Sequence, residues 1–211
     1  MSALPEKFLK YVFYDRLEFL KKMLKGEVDP RDVYLMFTRA NPVFITDGPA
    51  GLNGSVKMIG FVPKGEYLHE MLERAREVLR EKSSKGMKYV LKELTEYFYD
   101  VNKLDLRVFG ALEMARKHTW ENIKANGKVT LLFYTPPITS FEVKCDAKIV
   151  EEGEVMEYLN LMHDLYHGTP SSSSVKYPAY ILRIRRIYDK SASREGFGRL
   201  IYQVTQPEKS S

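Results

Sequence analysis

Leu104-Asp105-Leu106-Arg107-Val108, then Lys117-His118-Thr119-Trp120-Glu121-Asn122-Ile123-Lys124-Ala125-Asn126-Gly127, then Lys128-Val129-Thr130-Leu131-Leu132-Phe133-Tyr134, then Phe141-Glu142-Val143-Lys144-Cys145-Asp146-Ala147-Lys148-Ile149: strand-like runs surround one short basic helix. Apolar and polar residues alternate in the first and last runs, so each is a strand with one wet face. The run from Lys128 to Tyr134 is apolar enough for a buried strand. Between them, Trp120 and Ile123 form the packed side of a helix. Asn126-Gly127 ends it, because glycine tolerates positive φ.

The helix starts with Arg116, Lys117, His118 and Thr119. Helix N-termini carry unpaired N–H groups and partial positive charge, so this entry suits a phosphate. Cations there oppose the helix dipole at ~0.3–1 kcal/mol each. Either an anion offsets that cost or the cluster is a solvated basic turn. Lys57, on an earlier strand, could lie beside the cluster and add a further cation.

Working outward, Phe8, Leu9, Val12, Phe13, Leu17, Leu20 and Leu24 recur at helical spacing over 6–25, and Gly26 closes the pattern. This predicts an amphipathic helix packed on the body or on a second subunit. Asp29-Pro30 opens a short helical or extended stretch to Phe37. Pro42 to Thr46 and Ser55 to Val62 flank the turn-rich Asp47 to Gly54, as in a hairpin. Two helical segments fill 65–102, around Leu68, Leu72, Ala75 and Leu79, then Tyr89, Val90, Leu94 and Phe98. They are expected as an insertion between two strands that would otherwise be neighbours. A helix from Glu154 to about His167 precedes a flexible loop over 168–174, and strands follow at Tyr177 to Tyr188 and Arg199 to Thr205.

Six or seven strands joined mostly by short turns indicate a mainly β (α+β) fold. The expected form is an antiparallel barrel with peripheral helices, an N-terminal amphipathic helix and a helical insertion, in a single domain over 1–211.

The chain has 211 residues, a net charge of +5 and a pI near 9.1. Nucleic acid, acidic lipid or a phosphorylated ligand are all compatible with that charge. Cys145 is the lone cysteine, so no internal disulfide forms, and its alternation places it among buried residues. Charges interrupt the first 25 residues, so no signal-peptide core is expected. No apolar run approaches the ~20 residues of a membrane span. A cytoplasmic protein is the expectation.

Gly-x-Ser-x-Gly, Gly-x-Gly-x-x-Gly and phosphate-loop motifs are all absent. His163 and His167 have the i, i+4 spacing of helical zinc sites but no evident third ligand, so no metal is expected. Arg183, Arg185 and Arg186 with Tyr177, Tyr180 and Tyr188 could make a basic aromatic face for single-stranded nucleic acid. Their alternation with Leu182 and Ile184 equally fits an ordinary outward face, so nucleic acid is an unlikely partner.

The run from Leu106 through Phe133, followed by the strand from Phe141 to Glu151, resembles the pyridoxamine 5′-phosphate oxidase-like, FMN-binding split-barrel superfamily. There a strand leads into a helix reading roughly Ser-Lys-x-x-Asn-Leu-x-x-Asn-Pro-x-Val, then an apolar strand, a turn and a strand ending in an acidic pair. Asn122, Asn126, Val129, Glu151 and Glu152 match. Gly127 stands where proline is usual, and Lys117-His118-Thr119 replaces the Ser-Lys entry. The resemblance covers about 42–62 and 104–204. It implies a homodimer with FMN at the subunit interface and flavin-dependent oxidoreduction of a small molecule or electron carrier.

By position, the resemblance gives the FMN phosphate to Lys57, Arg116, Lys117, His118 and Thr119, and the ring to the backbone of Val56, Lys57, Met58 and Ile59. His118 and Tyr134 are candidate proton donors. Relatives of this fold can also carry a deazaflavin, haem or nothing. The segment Arg194 to Leu200 lacks the tryptophan expected of vitamin-processing members. The competing expectation is a non-catalytic barrel, either binding nucleic acid or having lost its cofactor.

Overall fold

The computed structural model describes residues 3–167 and 176–204. The loop expected over 168–174 and the strand end at Thr205 lie outside the described residues. The N-terminal segment is helical throughout, as α1 (Glu6–Leu9), a π-helical turn (Lys10–Tyr14) and α2 (Asp15–Lys25). The wider π turn lets Tyr11, Val12 and Phe13 all be buried in succession. Phe8 meets Phe141 with ring centres 5.3 Å apart, and Phe13 meets Phe61 at 5.4 Å. The amphipathic helix therefore packs on its own barrel. Gly26 closes it with φ of 75°. α3 (Pro30–Ala40) follows, helical rather than extended, with Pro30 in its first turn and Asp29 accepting from the Arg31 N–H.

The strands are β1 (Val43–Thr46), β2 (Asn53–Val56), β3 (Gly60–Pro63), β4 (Leu104–Leu112), β5 (Lys128–Thr135), β6 (Thr139–Val150), β7 (Ala179–Asp189) and β8 (Arg199–Gln203). All their pairings are antiparallel, in the order β2-β1-β5-β6-β7-β4-β3, with β8 on β7. The two ends of that order are joined by residues 57–59 alone. There the Lys57 and Ile59 N–H groups donate to the carbonyls of Pro42 and Ala40 at 3.3 and 2.9 Å. One nearly continuous stretch thus leaves β1 and joins β4, which closes the sheet into a barrel. The hand-over also explains why the run Ser55 to Val62 forms two strands, giving eight in place of the expected six or seven. β7 changes partner along its length, pairing with β4 over 179–183 and with β8 over 186–189. The barrel forks at that point.

β3 and β4 are neighbours, with Gly60 opposite Gly110, so the helical block between them is an insertion, as expected. It comprises α4 (Gly65–Glu93) and a π-helical turn (Leu94–Phe98). Gly86 breaks α4 at φ 76° and ψ 179°, making the two segments expected from the sequence. Arg74 holds them together through two hydrogen bonds to Glu93, at 2.9 and 2.7 Å. α5 (His118–Asn126) leads from β4 towards β5 and ends at Gly127, whose φ is 63°. α6 (Glu154–His167) lies against α4 and β4. Cys145 is buried in the barrel core, where desolvation pushes its thiol well above the ordinary cysteine range.

Candidate functional site

Two cavities adjoin where β4 ends. The smaller, about 130 Å³, is a polar cleft lined by Asn53, Ser55, Lys57, Glu113, Lys117 and His118, with Ala115 and Thr119. The larger, about 870 Å³, lies between α2, α3, β3, β4 and α6. Its wall is largely apolar, and its size is that of a site for a cofactor or drug-sized molecule. Lys57, Glu113 and Ala115 line both.

The partition between them is built on Glu113, a side chain only 2% exposed. One oxygen accepts from Lys57 Nζ at 2.8 Å and from the Tyr180 hydroxyl at 2.6 Å. The other accepts the backbone N–H groups of Ala115 and Arg116 at 2.7 and 2.8 Å. Burial pushes the Glu113 carboxyl up, but these four bonds outweigh it and hold it below the ordinary glutamate value. Burial, and then the carboxylate beside it, drive the Tyr180 phenol far up. The residue therefore stays an anion and the phenol stays neutral. The same bonds fix the turn into α5, in which Arg116 takes the left-handed conformation with φ of 48°.

α5 is held to the β1–β2 hairpin by fully buried Asn122. Its Oδ1 accepts from the Ala50 N–H at 2.9 Å, and its Nδ2 donates to the Gly51 carbonyl at 2.8 Å and to Thr46 Oγ1 at 3.2 Å. Thr119 serves the same purpose: Asn53 Nδ2 and Ser55 Oγ both lie 2.8 Å from its Oγ1. No side chain caps the helix at Lys117. Among the described residues Lys117 makes no ion pair, and it is exposed at the mouth of the cleft.

The structure thus brings together four residues expected at a phosphate site: Lys57, Lys117, His118 and Thr119. Arg116 stands outside the cleft lining, with its guanidinium 5.3 Å from the Trp120 ring centre and 3.6 Å from Glu151. Val56, Lys57, Met58 and Ile59 border the large cavity. Tyr134 lines neither cavity; its hydroxyl lies 3.3 Å from the Pro137 carbonyl. His163 and His167 sit in the large cavity with ring centres 4.6 Å apart, and no group of three metal-ligating side chains occurs among the described residues. Tyr180 is fully buried, so the arginine-bearing face of β7 lacks that aromatic. Arg185 on that face is held by Asp146 at 2.5 Å.

Sequence reasoning missed Glu113 and Arg16, and it placed Tyr180 on an outward face where the structure buries it against Glu113. A glutamate inside Leu112-Glu113-Met114-Ala115 was a signal, as was an arginine four residues from both Val12 and Leu20 on a buried stripe.

No protein-family model matches the chain, and no curated protein does. Solved structures do. A tagged HupZ of Group A Streptococcus has 14% identity over 79% of this chain and 97% of that one, with a TM-score of 0.45. A putative pyridoxamine 5′-phosphate oxidase of Listeria innocua has 11% identity over 76% and 98%, at 0.41. An FMN-binding protein of Syntrophomonas wolfei has 11% identity over 89% and 93%, also at 0.41. The fold is a split barrel. Antiparallel pairing through β2-β1-β5-β6-β7-β4-β3, with β8 forking off β7, defines it. No described helix is long and apolar enough to cross a membrane.

Proposed function

We propose that this protein is an FMN-binding split-barrel flavoprotein that carries out oxidoreduction on a small molecule or electron carrier. The supporting observation is the junction of the two cavities. A polar cleft at an uncapped helix N-terminus, lined by Lys117, His118 and Lys57, opens beside an apolar space large enough for a tricyclic ring. The donor set fits a phosphate: Lys117 is uncommitted, and Lys57 spends one of three ammonium donors on Glu113. Residues 56–59 would border the ring. The flavin, when bound, supplies the redox chemistry, while this chain supplies binding, orientation and exclusion of water. A homodimer is part of the same proposal.

The test is a fluorescence titration of FMN into the purified full chain. The expected result is saturable quenching, with Lys117→Ala weakening binding roughly ten- to a hundredfold through loss of a charged hydrogen bond. Absence of quenching, or equal affinity in the variant, removes the assignment.

A further inference from the structure

Among the described residues, one charge in the larger cavity has no counter-ion. Arg16, on α2, is 4% exposed and lines the wall. Its Nη2 donates to the Ile59 carbonyl at 3.0 Å, and its guanidinium carbon lies 5.7 Å from the Phe61 ring centre. Among the described residues, Nε and Nη1 are buried without a hydrogen-bond partner and Arg16 makes no ion pair. A guanidinium cannot shed its proton at ordinary pH, and an enclosed, unpaired charge is strongly unfavourable.

The other titratable groups of the wall do not offset it. Lys57 and Glu113 cancel each other at 2.8 Å. Burial, then His163 and Lys82, push the His167 imidazole towards its neutral form. Burial keeps the Tyr158 and Tyr166 phenols protonated. Arg16 is therefore the permanent cation of an apolar wall that lacks an acidic partner among the described residues.

We propose that this chamber binds a monoanionic apolar carboxylate, an acyl-chain or ring acid, with its head paired to Arg16 and its body between α2, α3, β4 and α6. One permanent cation matches a carboxylate better than a phosphate dianion, and the planar guanidinium pairs with carboxylates through two parallel bonds. Nε and Nη1 are enclosed as they stand, so the side chain must turn to present them. Ile59, which holds Arg16, is two residues from Lys57, so the Arg16 end lies about 7 Å along the backbone from the Lys57–Glu113 partition, and a bound acid head sits outside the polar cleft. The inference does not depend on the flavin assignment.

Calorimetric titration of the full chain with decanoate and with decan-1-ol, which share a chain length but differ in charge, tests it. One decanoate per chain is expected, bound at least about tenfold more tightly than the alcohol. Arg16→Met should reduce decanoate to the affinity of the alcohol, with near-ultraviolet dichroism reporting an intact fold. Met162→Trp, which narrows the cavity and keeps Arg16, should weaken both ligands alike. Equal affinities in the wild-type chain, or unchanged decanoate affinity in folded Arg16→Met, overturn the proposal. So does absence of binding, including the case in which a second copy of the chain seals the cavity. If Arg16→Met does not fold, the acid-to-alcohol ratio of the wild-type chain decides. Repeating the titration with and without FMN keeps the two assignments separate, since either can fail alone.

Discussion

Glu113 and Arg16 are both enclosed charges facing the same cavity, and the fold treats them oppositely. Glu113 has four hydrogen-bond donors on its two oxygens, one of them a lysine. Among the described residues, Arg16 has one hydrogen bond and two buried nitrogens left over. The first is complete within the protein and serves the architecture around the site. The second is incomplete, and an incomplete buried charge points to something that binds.

The largest expected break in this contrast is Glu113→Ala. It strands the Lys57 ammonium and the Tyr180 hydroxyl and frees two turn amides, so denaturant unfolding should show a loss of about 3–5 kcal/mol. A loss under 1 kcal/mol would mean that water replaces the carboxylate, and Glu113 would then not be the structural node described.

Glu113 also carries a pH signature. Its carboxyl is held below the unfolded value, so its contribution is complete above about pH 4.3, the ordinary glutamate value. It is lost as pH falls through the folded value. The stability gap between the wild-type chain and Glu113→Gln should be flat from neutral pH down to that point and shrink below it. A gap that shrinks already between pH 7 and 6 contradicts the assignment.

The smallest effect sharpens the comparison most. Arg16→Met, without ligand, removes an unpaired charge and one hydrogen bond from an apolar wall. Those losses offset each other, and the unfolding free energy should stay within about 1 kcal/mol of wild type. A loss as large as that of Glu113→Ala would place Arg16 among the structural residues and remove the basis for a ligand there.

The strands were legible because their cause is local. Phe141, Val143 and Cys145 alternate with Glu142 and Lys144, and all three apolar residues are buried. Helix ends at Gly26 and Gly127 were legible for the same reason, since both take positive φ. The basic entry of α5 was visible, and three of its residues do line a cleft. The charge of Glu113 in an apolar run was a signal, but its role was not visible because its side-chain partners stand 56 and 67 positions away in the chain. The large cavity was hidden because its walls come from helices and strands that meet only in three dimensions. Ser55 to Val62 looked like one strand because hydrophobic pattern does not show a change of pairing partner at residues 57–59.

The Glu113 carboxylate joins the link between β2 and β3, the start of β7 and the entry to α5 at one point. Those three pieces of main chain are ordered when the protein folds, before any molecule arrives. A guest landing against this partition sacrifices little of the host's conformational entropy, so even a modest set of contacts can yield a tight complex.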